Sequence, residues 1–552
     1  MDFYLGATPD SDPAADSDAR ITYDPSDLTT HGVIVGMTGS GKTGLGVIYL
    51  EEALRQGIPT LVIDPKGDMT NLLLTFPDLA PADFRPWIDE AAAAKDGMSP
   101  EAKADGEATK WREGLGSWGL SGSDIGALRE RVGMTIYTPG SQAGVPLNVV
   151  GELDVPDLSW DTDAEAMRDE IEGFTSGLLG LVDIDADPIS SKEHILLSNL
   201  IEHNWRAGNS VSLEALIGQV ATPPIRKLGV FEVDTFFPQK DRMAFAMKLN
   251  GLLASPAFAA WMEGPTLDIE ALLWTDEKPQ AAIIYLAHLS ESERQFIVTT
   301  IFSKLITWMR SQPGSSDLRV LAYMDEVFGF VPPTAEPPAK KPLLTLLKQA
   351  RAFGVGLLLS TQNPVDLDYK AMSNAGTWCI GRLQTERDKA RILEAVSAAS
   401  GGVDISAIDS QISGLGKRQF LLHNTRANHP ALFGTRWAMS YLRGPMTREE
   451  VERVTGDQRP SLLKPSTPLV DAPQEPRPAE PVGSRPPEIA EGIEACELDP
   501  ATPWAACLGF DPTGSSLKAG IALTVEMRFD ETRSDVDHVE TWEAVVFPAP
   551  SN

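Results

Sequence analysis

Near its amino terminus the chain reads Gly36-Met37-Thr38-Gly39-Ser40-Gly41-Lys42-Thr43, followed by Gly44. Residues 31–35 before this run are short, apolar and β-branched, as in a buried strand. Residues 44–54 after it carry leucine and alanine at helical spacing. A strand, a glycine-rich loop and a helix in this order are the signature of a phosphate-binding loop. The sequence therefore predicts that residues 36–44 bind a nucleotide.

Each part of this loop has a physical task. The glycines let the backbone curl so that successive N–H groups point at phosphate oxygens, and the helix adds the positive end of its dipole. Lys42 is expected to reach the β and γ phosphates, and Thr43 to offer its hydroxyl to Mg²⁺. We therefore expect a nucleotide bound together with Mg²⁺.

Length, charge and cysteine content exclude several classes of protein. The 552 residues exceed the size of one hydrophobic core, so about two to four structural units are expected. A net charge of -31 argues against a protein that coats nucleic acid non-specifically, although a local basic channel stays open. The three cysteines, Cys379, Cys496 and Cys507, lack the spacing of a disulfide framework or a zinc site, which favours a reducing compartment.

The chain shows neither a basic, apolar leader nor an apolar run near the roughly 20 residues that span a bilayer. We therefore expect a cytoplasmic protein without direct membrane insertion, whose membrane contacts, if any, go through a partner.

The order of strands and helices predicts the domain organisation. Strands alternate with helices from residue 31 onward, which indicates an α/β fold with a mostly parallel sheet. Residues 1–27 are acidic and are expected to form a tail or an edge element, and residues 456–490 form a proline-rich linker. The remaining predicted units are an ATPase core of residues 28–151 and 276–455, an α-helical insertion of residues 152–275, and a small β-rich unit of residues 491–552.

A second signal narrows the chemistry. Residues 320–324 read as a buried strand, and Asp325 and Glu326 follow it directly. Asp325 is expected to hold the Mg²⁺ shell, while Glu326 polarises the water that attacks the γ-phosphate. This pairing is typical of ATP hydrolysis, so ATP and Mg²⁺ are the predicted cofactors.

Two further strand ends point at the same edge of the sheet. Gln362 closes the run Ser360-Thr361-Gln362 and is expected to sense the γ-phosphate or to orient the water. Asp64 ends the second core strand, where it either supports the water and metal shell or stabilises its own turn.

These motifs together resemble the HerA/FtsK superfamily, and most of all the bacterial HerA-like ATPases, with conjugative coupling and VirB4-type ATPases as cousins. The resemblance covers residues 30–440 apart from the insertion. It is carried by residues 36–43 and by the runs Ile63-Asp64-Pro65-Lys66-Gly67-Asp68, Met324-Asp325-Glu326, Gln349-Ala350-Arg351, Gly354-Val355 and Thr361-Gln362-Asn363-Pro364.

The resemblance implies a RecA-like core that assembles as a homo-hexameric ring, with ATP between neighbouring subunits and double-stranded DNA in the central channel. It also implies that Arg351 is an arginine finger supplied to the neighbour's nucleotide, with Arg382 and Arg436 as the other candidates. Basic side chains that could line the channel cluster in two segments: Lys340, Lys341, Lys348 and Arg351, then Arg382, Arg387, Lys389 and Arg391.

The predicted function is a helicase-like DNA translocase of the HerA type that hydrolyses ATP, and a nuclease or defence effector is a candidate partner. One alternative is an ATP-dependent assembly scaffold or switch that remodels a protein partner without moving DNA, which the acidic surface favours. Another is a VirB4-like secretion or conjugation ATPase.

Overall fold

The computed structural model describes residues 1–399, 405–427, 429–456, 521–531 and 536–546. The chain divides into two compact units, Met1–Thr467 and Pro468–Asn552, which are described separately below.

The strands are numbered in chain order. They are β1 Phe3–Ala7, β2 Arg20–Tyr23, β3 Gly32–Val35, β4 Thr60–Asp64, β5 Gly133–Tyr137, β6 Glu152–Leu153, β7 Val211–Ser212, β8 Lys227–Leu228, β9 Phe231–Glu232, β10 Trp274–Thr275, β11 Lys278–Tyr285, β12 Ser315–Met324, β13 Phe353–Thr361, β14 Thr377–Ile380, β15 Gln419–Asn424, β16 Ala431–Thr435, β17 Ile521–Glu531 and β18 Val536–Val546.

The helices are numbered in the same way. They are α1 Lys42–Arg55, α2 Pro81–Phe84, α3 Glu90–Lys95, α4 Pro100–Gly116, α5 Gly122–Arg131, α6 Ala164–Leu181, α7 Lys192–Arg206, α8 Leu213–Ala221, α9 Val233–Phe236, α10 Gln239–Ala254, α11 Pro256–Ala259, α12 Ile269–Leu273, α13 Glu291–Ser311, α14 Lys340–Gln349, α15 Tyr369–Ser373, α16 Glu386–Ala399, α17 Ile405–Ser413 and α18 Arg448–Thr455.

A twelve-stranded sheet organises the first unit, in the order β10-β11-β4-β12-β13-β3-β14-β15-β16-β1-β2, with β5 also paired to β11. The strands from β5 and β11 through β14 run parallel, and the pairs from β14 to β2 are antiparallel. Parallel neighbours need crossover connections, which the intervening helices supply. The predicted α/β class with a mostly parallel sheet is confirmed.

The sheet is buried on both faces. Along β3, Val33 and Val35 join one apolar cluster while Ile34 joins another, because successive side chains of a strand point to opposite faces. Helix α13 contributes to the first cluster and α1 to the second. This double burial explains why the central strands read as continuous apolar runs.

The amino terminus does not form the predicted tail. Strand β1 is fully buried and pairs antiparallel with β16 and with β2, so residues 3–7 and 20–23 extend the sheet. The backbone N–H of Tyr4 also donates to the carboxylate of Glu52 at 3.0 Å. The acidic residues 10–18 lie between the two strands and mask them in the composition. The edge-element interpretation was the correct one, and β2 ends the sheet.

Helices α6 to α12 lie between β5 and β11 in the chain, together with two short antiparallel strand pairs, β6 with β7 and β8 with β9. Helix α6 packs so closely on α13 that two of its glycines have no room for a side chain. A Cβ at Gly173 would lie 2.3 Å from Ser303, and one at Gly177 would lie 2.8 Å from Phe296. Phe174 also contacts Phe296 edge to face, with ring centroids 5.9 Å apart. These helices therefore share the core of the sheet.

The second unit contains one described hairpin, in which β17 and β18 pair antiparallel from Ile521 with Val546 to Glu531 with Val536. Both strands lie within residues 491–552, where the small β-rich unit is predicted. The rest of the predicted terminal unit and nearly all of the predicted linker lie outside the described residues. Among the helices that are described, none has both the length and the apolar character needed to cross a membrane.

Candidate active site

The glycine-rich loop of residues 36–43 joins β3 to α1, and its glycines are needed for different reasons. Gly39 and Gly41 have φ values of 78° and 109°, in the region that side chains disfavour. A Cβ at Gly36 would lie 2.6 Å from Ser40 Oγ, whereas one at Gly39 would meet nothing within 4 Å. The loop therefore curls tightly at its start and leaves Gly39 facing open space.

Lys42 lies inside the curl of this loop. Its Nζ donates to the carbonyl oxygens of Gly36 at 2.6 Å and Met37 at 3.3 Å. Burial lowers the pKa of Lys42, and the nearby carboxylates of Glu326 and Asp325 partly offset this shift. The ammonium group is thus held where phosphate oxygens would meet it.

Asp325 and Glu326 follow β12, and β13 alone separates β12 from β3 in the sheet. Asp325 is buried and accepts a hydrogen bond from the Tyr323 hydroxyl at 3.1 Å. Burial and the charge of Asp68 raise the pKa of Asp325. Glu326 adopts a φ of 46°, an uncommon backbone conformation for glutamate that occurs at functional sites.

A polar relay connects Glu326 to three other strand and loop ends. Its Oε2 accepts from Lys66 Nζ at 2.8 Å and from Gln362 Nε2 at 2.7 Å. The Oε1 of Gln362 accepts from the Thr38 hydroxyl at 2.6 Å. The relay Thr38, Gln362, Glu326 and Lys66 therefore joins the glycine-rich loop to the ends of β13, β12 and β4.

Asp64 serves its own turn in this geometry. Its two carboxylate oxygens accept four backbone N–H bonds, which come from residues 66, 67, 69 and 70. Burial, with a smaller contribution from Asp325, raises the pKa of Asp64 to about 7, while the N–H groups of Gly67 and Met69 oppose the rise. Of the two predicted roles, the contacts favour the turn that places Lys66 in the relay.

The loop and the relay form one side of a cleft of about 700 Å³. The predicted residues Thr38, Gly39, Gly41, Lys42, Thr43, Gly44, Asp325, Glu326 and Gln362 all line it. Its other side is formed by Lys110, Trp111, Arg418 and Trp437, which sequence reasoning missed. These residues come from α4 and from the ends of β15 and β16, so no local motif announces them.

The oxygen donors of the cleft fit a magnesium ion. Thr43 and Asp325 supply a hydroxyl and a carboxylate, the ligand types that Mg²⁺ prefers, and Mg²⁺ commonly takes only one or two protein ligands. The buried Ser40 hydroxyl has no hydrogen-bond partner among the described residues. In the same part of the chain, no group of three or more His, Cys, Asp or Glu side chains is arranged to hold a metal.

Residues 11–106, which include the glycine-rich loop, match the family described as the central domain of the helicase HerA. Over this segment the chain is similar to the HerA central domain, and the segment contains the P-loop of an ATPase. This match and the assembled cleft bear out the resemblance stated above. No curated protein matches the chain.

Solved structures with a similar course of the chain include VirB4 of Thermoanaerobacter pseudethanolicus and the plasmid coupling protein TrwB in complex with ADP and Mg²⁺. Both are 12% identical with a TM-score of 0.46; VirB4 covers 78% of this chain and 96% of its own, and TrwB covers 81% and 97%. The genome packaging NTPase B204 from Sulfolobus turreted icosahedral virus 2 is 14% identical over 30% of this chain and 71% of its own, with a TM-score of 0.22.

The fold places the three arginine candidates in different surroundings. Arg351 precedes β13 and is exposed at the opposite edge of the sheet from the cleft, roughly 26 Å away along the strand. Arg382 is exposed beside the loop, where its carbonyl accepts from Met37 N–H at 2.7 Å. Arg351 cannot reach the cleft of its own subunit.

Arg436 is excluded as a finger. Its guanidinium is fully buried and pairs with Glu51 and Glu52 of α1, each at 2.9 Å. It also donates to the Tyr4 carbonyl at 2.9 Å, so it fastens β1 to α1. A cation held by two buried carboxylates cannot move to a phosphate without leaving both charges unpaired.

Several of the basic side chains predicted for a channel are engaged in ion pairs. Lys340 is buried between Asp368 and Glu336, both at 2.9 Å. Lys341 pairs with Asp169 and Glu172, and Lys389 with Asp409. Each of these three lysines is therefore paired with acidic side chains of the same chain.

Proposed function

We propose that the chain is an ATP-hydrolysing motor that assembles as a homo-hexameric ring and translocates double-stranded DNA. One observation carries the hydrolytic part: the Glu326 carboxylate is fixed by Lys66 and Gln362 at one oxygen, in the cleft that also contains Lys42. No other described residue is hydrogen-bonded to Glu326 Oε1, so that oxygen is available to a water.

The binding roles follow from the geometry of the loop. The N–H groups of residues 36–44 and the Lys42 ammonium would hold the phosphates, and Thr43 and Asp325 would hold Mg²⁺. When bound, the metal offsets the charge that develops on the phosphate oxygens. The carbonyl bonds of Lys42 show that its ammonium is already positioned within the loop.

The relay gives Glu326 and Gln362 distinct roles. Glu326 would take a proton from the attacking water through Oε1, while Lys66 and Gln362 hold the carboxylate in place. Gln362 is bonded to Thr38 of the phosphate loop, so a change at the γ-phosphate would reach Glu326 through a single side chain.

Ring formation explains the position of Arg351. At the far edge of its own sheet the guanidinium could meet only a nucleotide held by a neighbour, where it would stabilise the transferring phosphoryl group. The proposal of DNA translocation is based on the similarity of residues 11–106 to the HerA central domain. The same proposal includes a nuclease or effector as partner and a cytoplasmic location.

A scaffold or switch that remodels a protein partner is the second candidate. The net charge of -31 and the ion-paired lysines 340, 341 and 389 favour it, because they reduce the free positive charge available to DNA. A VirB4-like role in secretion or conjugation would use the same cleft.

ATP turnover with and without double-stranded DNA separates these candidates. For the motor we expect DNA to stimulate turnover several-fold and the stimulation to vanish at high salt. Lys42→Ala should abolish turnover in both conditions and serves as the control for contaminating ATPases. Turnover that is present but indifferent to DNA would overturn the motor in favour of the scaffold.

A further inference from the structure

Half of the cleft wall has no task in the proposed hydrolysis. The phosphate loop, Asp325 and Glu326 account for a triphosphate and a metal, yet Arg418, Trp437 and Trp111 line the same cleft. A nucleoside triphosphate extends beyond its phosphates into a ribose and a base. The inference drawn here rests on the proposed nucleotide site and concerns what that remaining wall binds.

Arg418 is joined directly to the phosphate loop. Its backbone N–H donates to the Ser40 carbonyl at 2.8 Å, and a Cβ at Gly41 would lie 3.3 Å from Arg418 Cα. Arg418 has a φ of 61°, which is uncommon for a side chain of this size. The start of β15 is thus held against the turn that precedes Lys42.

The guanidinium of Arg418 is fixed in orientation at its edge. Nη2 donates to the carbonyls of Arg436 at 2.9 Å and Thr435 at 3.4 Å, and Nε donates to the Thr435 hydroxyl at 3.4 Å. These donors face protein oxygens rather than the phosphate loop. A flat cation whose edge is occupied by carbonyls has its face left for stacking.

Trp437 supports this flat cation from behind. The Arg418 guanidinium carbon lies 4.9 Å from the centre of the Trp437 ring. The ring in turn packs on α4, where a Cβ at Gly114 would lie 2.6 Å from Trp437 Cδ2 and Cε2. Trp111 meets Trp437 edge to face, with ring centroids 5.2 Å apart. Burial also lowers the pKa of Arg418, as expected for a partly desolvated cation.

We infer that Arg418, supported by Trp437, forms the surface on which the base of the bound nucleotide stacks. The ligand class is a purine nucleoside triphosphate, because a large π-surface gains most from stacking on a guanidinium plane. The surface lines the same cleft as the phosphate loop, so one nucleotide could meet both. The segments of residues 110–114 and 435–437 thereby acquire a role in substrate recognition.

Inorganic tripolyphosphate provides the decisive comparison, because it has the phosphates of ATP but no base. Binding of Mg·ATP and of Mg·tripolyphosphate to the full chain would be measured by calorimetry for wild type and Arg418→Lys, which keeps the charge but loses the plane. We expect ATP to bind about tenfold more weakly to the variant and tripolyphosphate to bind within twofold of wild type. GTP should weaken as ATP does, since stacking tolerates either purine.

Lys417→Ala is the matched control, because Lys417 is an exposed cation of the same cleft without a stacking partner among the described residues. Its loss should change ATP and tripolyphosphate affinity by equal factors. A measurement that does not use Arg418→Lys guards against misfolding of that variant. ATP, but not tripolyphosphate, should quench the part of wild-type indole emission that is absent from Trp437→Phe.

The outcomes are distinct. Equal weakening of ATP and tripolyphosphate in Arg418→Lys would mean that Arg418 contacts phosphate, and unchanged affinity for both would mean that it contacts no part of the nucleotide; either result overturns the inference. If the wild-type chain binds neither ligand, the proposed function itself fails, which no Arg418 result can imitate.

Discussion

The parallel strands end at one edge of the sheet, the carboxyl edge, and begin at the opposite one, the amino edge. The two edges differ in whether their charged side chains have hydrogen-bond partners. At the carboxyl edge, Lys42, Lys66, Glu326 and Gln362 are all bonded to one another or to the phosphate loop. At the amino edge, Arg351 borders a pocket of about 560 Å³, and no hydrogen bond or ion pair joins its side chain to another described residue. The carboxyl edge holds a site whose polar side chains are bonded to one another, and the amino edge presents a cation without such a bond among the described residues.

The amino edge gives the largest expected effect. Arg351→Ala should lower ATP turnover by about 10³-fold. In the proposed ring, the substitution removes from every subunit interface the arginine that stabilises the transferring phosphoryl group. Turnover should return in part when these subunits are mixed with Lys42→Ala subunits, which have a defective cleft but an intact Arg351. Lys348→Ala, in the same pocket, is the matched control. A loss of turnover that mixing cannot restore would contradict the assignment across an interface.

At the carboxyl edge, Glu326→Gln should reduce turnover by about 10²-fold, since an amide cannot accept the proton of the attacking water. ATP affinity should be retained, because Lys42 and the loop are unchanged. Both quantities are measured by steady-state kinetics and calorimetry. Glu336→Gln, an exposed partner of Lys340 outside the cleft, should turn over ATP as wild type does. Full activity of Glu326→Gln would remove this residue from its role.

Lys66 tests whether the relay positions Glu326. Lys66→Met removes one charge-assisted bond to Oε2, and we expect kcat to fall about tenfold with little change in KM. Lys66→Arg should restore part of the loss, since it can bond the same oxygen. The opposite split, a raised KM with an unchanged kcat, would show that Lys66 binds phosphate instead.

The smallest effect is a pH dependence of stability at the amino edge. Burial lowers the pKa of His31 to about 4, whereas histidine in the unfolded chain titrates near its ordinary pKa of 6.5. Between these two pKa values, residue 31 binds more protons in the unfolded chain than in the folded one. The contribution of His31 to the free energy of unfolding therefore rises with pH, and it is lost as the pH falls through this range. From pH 7 to pH 5.5 the stabilisation contributed by neutral His31 should fall by about 1 kcal/mol, while the raised pKa of Asp64 changes the stability of the whole chain in the opposite direction.

His31→Asn is the corresponding variant. Its side chain retains a polar group near the Leu357 N–H, which His31 Nδ1 accepts at 3.2 Å, and asparagine tolerates the φ of 63° better than most residues do. Chemical denaturation at the two pH values should show that the free energy of unfolding of wild type minus that of His31→Asn is about 1 kcal/mol smaller at pH 5.5 than at pH 7. An unchanged slope would assign the pH dependence to other groups.

The phosphate loop and the carboxylates of β12 were predictable because their chemistry requires particular residues at fixed spacing in one segment. Gly39 and Gly41 must adopt positive φ, and Lys42 must follow them directly. Asp325 and Glu326 were placed by the same logic, since the carboxyl ends of parallel strands meet at one edge. The assignment of ATP binding therefore did not depend on the remainder of the fold.

The error at the amino terminus and the missed wall of the cleft have a common cause. Strand β1 is held by β16 and by Arg436, which lie more than 400 residues along the chain. The sequence prediction instead followed the acidic residues near the strand and missed its short apolar run. Arg418, Trp437 and Trp111 likewise meet only after the antiparallel strands have paired beside α1. Such contacts have no periodicity that a local pattern can carry.

The sequence by itself determined the glycine-rich loop and the acidic pair of the proposed triphosphate site, because both lie in short contiguous segments. Only the tertiary structure decided which cations are free to act. It buried Arg436 between two glutamates, placed Arg351 beyond the reach of its own cleft and set Arg418 flat against an indole. The sequence shows that an arginine carries a charge. Its ion-pair and stacking partners are determined by the pairing of strands that lie hundreds of residues apart in the chain.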